Sequence, residues 1–142
     1  MTGKHRKKTD RPGLDRLGRT GLHYAALDGR LDDVRSGLQS GLDPNSKDDD
    51  GCTPLHFATQ SNKTDISILL VNFGAYIDAQ DSNGNTPLSN AVFYYDGTGE
   101  LIRILRSLGA NPCLENNFGV SPLKLARDIA NSNVAIHFQD LP

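Results

Sequence analysis

The chain has no tryptophan, one methionine and two cysteines in 142 residues, and its nine aromatic side chains are all tyrosine or phenylalanine. Each shortage removes a class of molecule. Two cysteines, Cys52 and Cys113, cannot hold together a small disulfide scaffold of the secreted kind. No apolar run approaches the roughly 20 residues of a membrane-spanning helix, so no membrane partner is expected. The basic start lacks a following apolar stretch, because Thr9 to Leu14 supplies none, so it does not read as a secretory signal. A cytoplasmic protein is expected. No glycine-rich phosphate loop is present either; the 14 glycines fall at turns and helix stops. With 37% hydrophobic and 23% charged residues the composition is that of an ordinary soluble domain, long enough to bury one substantial core.

The charge is low overall and uneven in detail. Residues 1–12 carry Lys4, Arg6, Lys7, Lys8 and Arg11 against Asp10, a balance of +4. The total is −2, so the remainder carries −6. Residues 1–14 therefore read as a basic tail, either a disordered, solvated lead-in or a transient contact for nucleic acid or an acidic surface. The absence of interleaved aromatics makes its nucleic-acid signal weak.

What is abundant is repetition. GRTGLHYAALDG begins at Gly18, GCTPLHFATQS at Gly51, GNTPLSNAVFY at Gly84 and GVSPLKLARD at Gly119, at steps of 33, 33 and 35 residues. A period of this size describes a stack of small units, each too small to bury its own apolar face. Every unit opens on a turn whose fourth residue is glycine: Asp15 to Gly18, Asp48 to Gly51, Asp81 to Gly84, Asn116 to Gly119. Thr53-Pro54, Thr86-Pro87 and Ser121-Pro122 follow as helix starts, the hydroxyl capping a free N–H and proline occupying the first helical position. A short helix with small faces comes next, carrying Leu55, Phe57 and Ala58 in the second unit and Leu88, Ala91 and Val92 in the third. A second helix has apolar residues at three- and four-residue steps, such as Leu101, Ile102, Leu105 and Leu108, and stops at Gly41, Gly74 or Gly109. The ends read as caps: Asp32, Asp33, Arg35 and Gln39 give the first unit a polar outer face. The fourth unit is cut short after Val134, Ile136 and Phe138, which predicts exposed apolar surface there.

The period and the Thr-Pro-Leu-His core resemble the ankyrin repeat over residues 15–138. The resemblance implies an all-α solenoid of four helix-turn-helix units with projecting hairpin fingers. The repeats run over about 15–47, 48–80, 81–115 and 116–142, so that 15–142 form the ankyrin domain. It further implies a non-catalytic protein–protein interaction module, monomeric when free, that binds another protein through its concave face and fingers. In ankyrin proteins the motif histidine ties the turn to the helix start. Here Gly21 stands in the usual proline position, which should loosen the first helix. Ser89 and Lys124 stand in place of the histidine, so its hydrogen bonding should be missing from repeats three and four.

Candidate chemistry is sparse. His23 and His56 occupy equivalent positions one unit apart, about 10 Å by helix spacing. Two ligands of one zinc ion lie no more than about 4 Å apart, so no metal is assigned. Cys52 is close to His56 in sequence, but the first sits on a finger and the second on a helix. No catalytic residue and no cofactor are assigned. A disulfide between Cys52 and Cys113 would need Cα atoms within about 7 Å, so free thiols are expected.

Function is expected where the repetition fails. Asp48 matches the turn aspartate, while Asp49 and Asp50 fall where ankyrin proteins vary; they form a solvated loop or a contact for a basic partner. The two extra residues of repeat three fall within Phe93 to Gly99. Three consecutive aromatics lie there, and Phe93, Tyr94, Tyr95 and Asp96 are candidate contacts. The alternative is that Phe93 packs inward and the tyrosines cover the loop. By position the rim also includes Arg19, Tyr24, Asp28, Cys52, Gln60, Gln80, Asn85 and Phe118. Two roles are open: an immunity or inhibitor protein against a basic toxin or nuclease, and a scaffold or regulatory subunit for a transcription factor or kinase.

Overall fold

The computed structural model describes residues 14–129 and 133–142; the basic tail expected at 1–14 lies, up to residue 13, outside them. Seven α-helices and one 3₁₀ helix follow in order, with no strand among the described residues. The short inner helices are α1 (Gly21–Asp28), α3 (Pro54–Gln60), α5 (Pro87–Phe93) and α7 (Pro122–Asp128). The outer helices are α2 (Leu31–Gln39), α4 (Thr64–Asn72) and α6 (Glu100–Ser107). Successive inner helices pack on one another, successive outer helices do the same, and each inner helix packs on its own outer partner.

The hydroxyl residues begin the inner helices for the expected reason. Thr20, Thr53, Thr86 and Ser121 accept from the backbone N–H three residues on, satisfying donors the helix itself leaves open. Gly21 does not displace the start of α1, which keeps its Thr20 cap. The outer helices run into Gly41, Gly74 and Gly109, all left-handed with φ near +100°.

The fingers are turns closed by two backbone bonds each, one between residues 15 and 19, 48 and 52, 81 and 85 or 116 and 120, and one from the turn glycine N–H back to the first residue's carbonyl. They are joined tip to tip: Asp49 N–H donates to Leu17 O, Ser82 N–H to Asp50 O and Asn117 N–H to Asn83 O, all at 2.8–2.9 Å. Gly51 has φ +75°, and a Cβ there would lie 2.8 Å from Ser82 N, so the tip admits no side chain.

The core divides in two. Leu22, Leu55, Ile66 and Leu70 belong to the first cluster, Leu88, Ile102, Leu105 and Val134 to the second, and Ile77 touches both. The apolar surface expected at the C-terminal end is reduced to Ile136, which is 55% exposed, because the 3₁₀ helix Val134–Phe138 buries Val134 and Phe138. Arg106 fastens this segment, donating to both Asp140 carboxylate oxygens (2.8 and 2.7 Å) and to His137 O, with its guanidinium over the Phe138 ring. Two buried side chains thus cover α7 without a full second helix in this unit.

Candidate functional site

The motif histidines are structural bridges. His23 Nδ1 accepts from Thr20 N–H at 3.0 Å, so the ring proton is on Nε2, which donates to Cys52 O at 2.9 Å. His56 repeats the arrangement with Thr53 N–H and Asn85 O, at 3.1 and 2.9 Å. Burial pushes both imidazoles below the ordinary histidine pKa, against the opposing pull of the carbonyl each one bonds. Neither ring has a nitrogen left for a metal or a substrate. Burial and the nearby carboxylates of Asp48, Asp81 and Asp50 push the Cys52 thiol up to about 12, which keeps it protonated and unreactive. Both cysteines are free, and among the described residues no group of three His, Cys, Asp or Glu side chains is placed to hold a metal ion.

Several rim candidates turn inward. Arg19 donates to the buried Asp48 carboxylate at 3.3 Å and lays its guanidinium 4.8 Å from the Phe57 ring centre. Tyr24 donates its hydroxyl to Asp15, which is the main reason the Asp15 carboxyl sits below its usual range. Gln80 spans two fingers, donating to Gly84 O and Glu115 O. Asp28 is exposed at 3.6 Å from Arg30, and Gln60 is half-buried at the end of α3. Asp49 and Asp50 have exposed side chains, although their backbones join the finger ladder.

The insertion splits. Phe93 is 65% exposed and Tyr94 42% exposed, the two rings meeting edge to face at 4.9 Å. Tyr95 goes the other way: it packs on the second core cluster and its hydroxyl lies 3.0 Å from His137 Nε2. The alternative reading of the loop is thereby inverted, since Phe93 is outside and Tyr95 inside. Asp96 is exposed and holds the turn, accepting from Thr98 N–H and Oγ1, which keeps its carboxyl below the usual range.

Four of the candidates meet. Asn85, Phe93, Tyr94 and the 75%-exposed Phe118 line one open groove of about 400 Å³ between the third and fourth units. Ser89, Asn90, Asn116, Val120 and Leu125 complete it, and none of these was legible as a site residue. Asn90 and Leu125 look like ordinary positions of a short helix, and Asn116 like a turn residue. Asn116 does hold the finger, its Oδ1 accepting from the N–H groups of Phe118 and Val120 while Nδ2 donates to Asn85 Oδ1. Asn90 Nδ2 donates to His56 O. The floor is therefore rigid before anything binds.

The family model described as ankyrin repeats (3 copies) matches residues 22–116. The chain belongs to the ankyrin-repeat family. It is similar to an ankyrin repeat-containing protein of Schizosaccharomyces pombe, at 42% identity over 47% of this chain and 32% of that one. Serine/threonine-protein kinase 12 of Arabidopsis thaliana is 35% identical over 63% of the chain and 19% of the kinase. Neurogenic locus notch homolog protein 1 of Danio rerio is 33% identical over 86% of the chain and 5% of its own length. The chain thus spans a third or less of each of these relatives. Ankyrin repeats are protein–protein interaction modules, generally without catalysis, and no helix among the described residues is long and apolar enough to cross a membrane.

Proposed function

We propose that this ankyrin array is a non-catalytic binder that seats a protein partner in the groove between repeats three and four and acts by covering that partner's surface. The carrying observation is the groove itself: three exposed aromatic rings on a rigid amide floor, in a chain with only nine aromatics. Exposed aromatic clusters of this kind mark interaction sites because they supply large apolar area with few torsions to freeze. Of the side chains that a reaction would call on, the His23 and His56 imidazoles are committed to the frame and the Cys52 thiol is kept protonated by burial and nearby carboxylates.

Occlusion suits an inhibitor. With −6 outside its basic tail the array complements a basic protein, and an immunity role in the cytoplasm against a toxin or nuclease is the reading that the charge favours. A scaffold or regulatory role for a kinase or transcription factor is the second reading. It draws on the relatives, one of which is a kinase with a similar segment covering a fifth of its length.

The test compares the tagged full chain with a Tyr94→Ala/Phe118→Ala variant as baits in extract of its source cell. A protein retained at equimolar ratio by the first and lost by the second is expected, and equal retention by both overturns the groove. Assaying that partner with and without the array then separates the roles: loss of its activity marks an inhibitor, unchanged activity a scaffold.

A further inference from the structure

The groove carries no formal charge. Its walls are aromatic or aliphatic, and its polar side chains are three asparagines and Ser89. A buried charge on an occupant would find no counter-ion here and would keep its full desolvation cost. The hydrogen bonding left open is specific. Asn116 Oδ1 accepts twice within its finger and its Nδ2 donates to Asn85 Oδ1, while one N–H of Asn90 Nδ2 donates to His56 O. An acceptor, Asn90 Oδ1, and a donor, Asn85 Nδ2, remain on the floor, the pair that one peptide unit of an extended chain would match.

One step toward the N-terminal end the chemistry changes. Asn85 N–H donates to the Asp81 carboxylate, and Asp81 with Asp50 and Asp48 makes the field around Cys52. Arg19 offsets Asp48, and Lys47 Nζ donates to Gln80 O, next to Asp81; the Asp50 carboxylate is exposed at the finger tip. Neutral aromatic groove and acidic finger edge are continuous through Asn85.

We infer that the occupant is an extended peptide segment that places one uncharged apolar side chain between Phe93, Tyr94 and Phe118 and a lysine or arginine over the exposed Asp50. This deepens the proposed function and rests on it. The spacing follows from geometry: one to two unit steps of about 8–10 Å each, divided by about 3.3 Å per extended residue, put the basic residue roughly three to six positions from the anchor.

A displayed library of random 12-residue peptides, selected on the full chain, tests it. Enriched peptides are expected to share an apolar anchor with Lys or Arg three to six positions away. Synthetic versions should lose at least tenfold in affinity on Phe93→Ala/Phe118→Ala. Asp50→Asn should cost a smaller factor and flatten the dependence on salt. Peptides that need the aromatic rings but are indifferent to Asp50→Asn, to salt and to replacement of their basic residue overturn the two-part occupant and leave the groove reading intact. Peptides indifferent to the ring substitutions, or a selection that yields none dependent on them, overturn both.

Discussion

His56 and Ser89 hold the same place one repeat apart, and most of what distinguishes the two halves of the molecule follows from that exchange. In the N-terminal half an imidazole reaches from each inner helix to the carbonyl of the next finger, Cys52 O or Asn85 O. In the C-terminal half the hydroxyl of Ser89 lies 3.4 Å from Thr86 Oγ1, and among the described residues Val120 O, the corresponding carbonyl, accepts its own finger's bond from Asn116 N–H and no bond from the helix. The expected loss of the histidine bond is real, but the units are not left unlinked. Asn116 donates to Asn85 Oδ1, Asn117 Nδ2 donates to Ser82 O and Asn111 N–H donates to Asp78. The N-terminal units have loop and finger links too, such as Tyr76 N–H on Asn45 Oδ1 and Ser82 N–H on Asp50 O, so what the C-terminal half lacks is the helix-to-finger bridge, and the space beside Ser89 is open as part of the groove. The regular half spends its polar groups on the frame; the irregular half frees a surface.

The contrast breaks most visibly by deletion. His56→Ala strips Thr53 N–H of its partner inside the stack and leaves Asn85 O only its finger bond from Asp81 N–H, at about 1–3 kcal/mol for the orphaned donor, so a loss of about 2 kcal/mol is expected from urea unfolding. Ser89→Ala removes one long hydroxyl contact and should cost less than about 1 kcal/mol. Equal losses would show that the imidazole bridge has no special weight.

Acid should separate the halves by the same logic. His23 and His56 have folded pKa values below the ordinary figure of about 6.5. Their contribution is therefore fully present above that value and drains away as pH falls toward the depressed folded values, because the unfolded chain takes up protons first. His137, also lowered, by burial and then by Arg103, adds in the same direction. Between pH 7.5 and 5 the urea midpoint should fall, and amide exchange should quicken around Leu55 and Leu70 before Leu88 and Leu105. A midpoint that rises with acid would sink this account.

The aromatic insertion offers a sharper division within the C-terminal half. Tyr94→Ala should weaken partner binding by about tenfold or more, the loss of one hot-spot ring, with the melting temperature little moved. Tyr95→Ala should do the opposite, because its ring packs on the second core cluster and its hydroxyl meets His137. A Tyr95 variant that binds poorly while melting normally would move that ring back into the site.

The sequence made the frame readable and the site only half so, for a physical reason. Turn glycines, hydroxyl caps and apolar spacing act within four residues of themselves, and so the units, their caps and the position of the insertion could be placed from local pattern. The direction of a loop side chain cannot. Tyr95 is drawn inward by His137, 42 residues on, and Arg19 by Asp48, 29 residues on, partners that only stacking reveals. Asn90 and Leu125 escaped notice because nothing local distinguishes a groove wall from a helix face. The one available signal was Ser89: a missing histidine in a repeating motif marks the place where a small side chain leaves room.

Restoring that side chain is the smallest and most direct challenge to the comparison. Finger four closes as fingers two and three do, with Asn116 N–H on Val120 O at 2.9 Å, and its hydroxyl cap Ser121 is in place. The two extra residues lie upstream, in the loop between α5 and α6, and leave this register untouched. In Ser89→His the ring should therefore find both of its usual partners, Thr86 N–H and Val120 O, and raise stability by about 1 kcal/mol, the net worth of an added internal hydrogen bond. It would also take up volume at the groove wall, so partner affinity should fall although no aromatic contact has been removed. Stability and binding moving in opposite directions would show that the groove exists because the bridge was given up. A gain in stability with full binding retained would separate the two and leave the groove to the aromatic insertion alone.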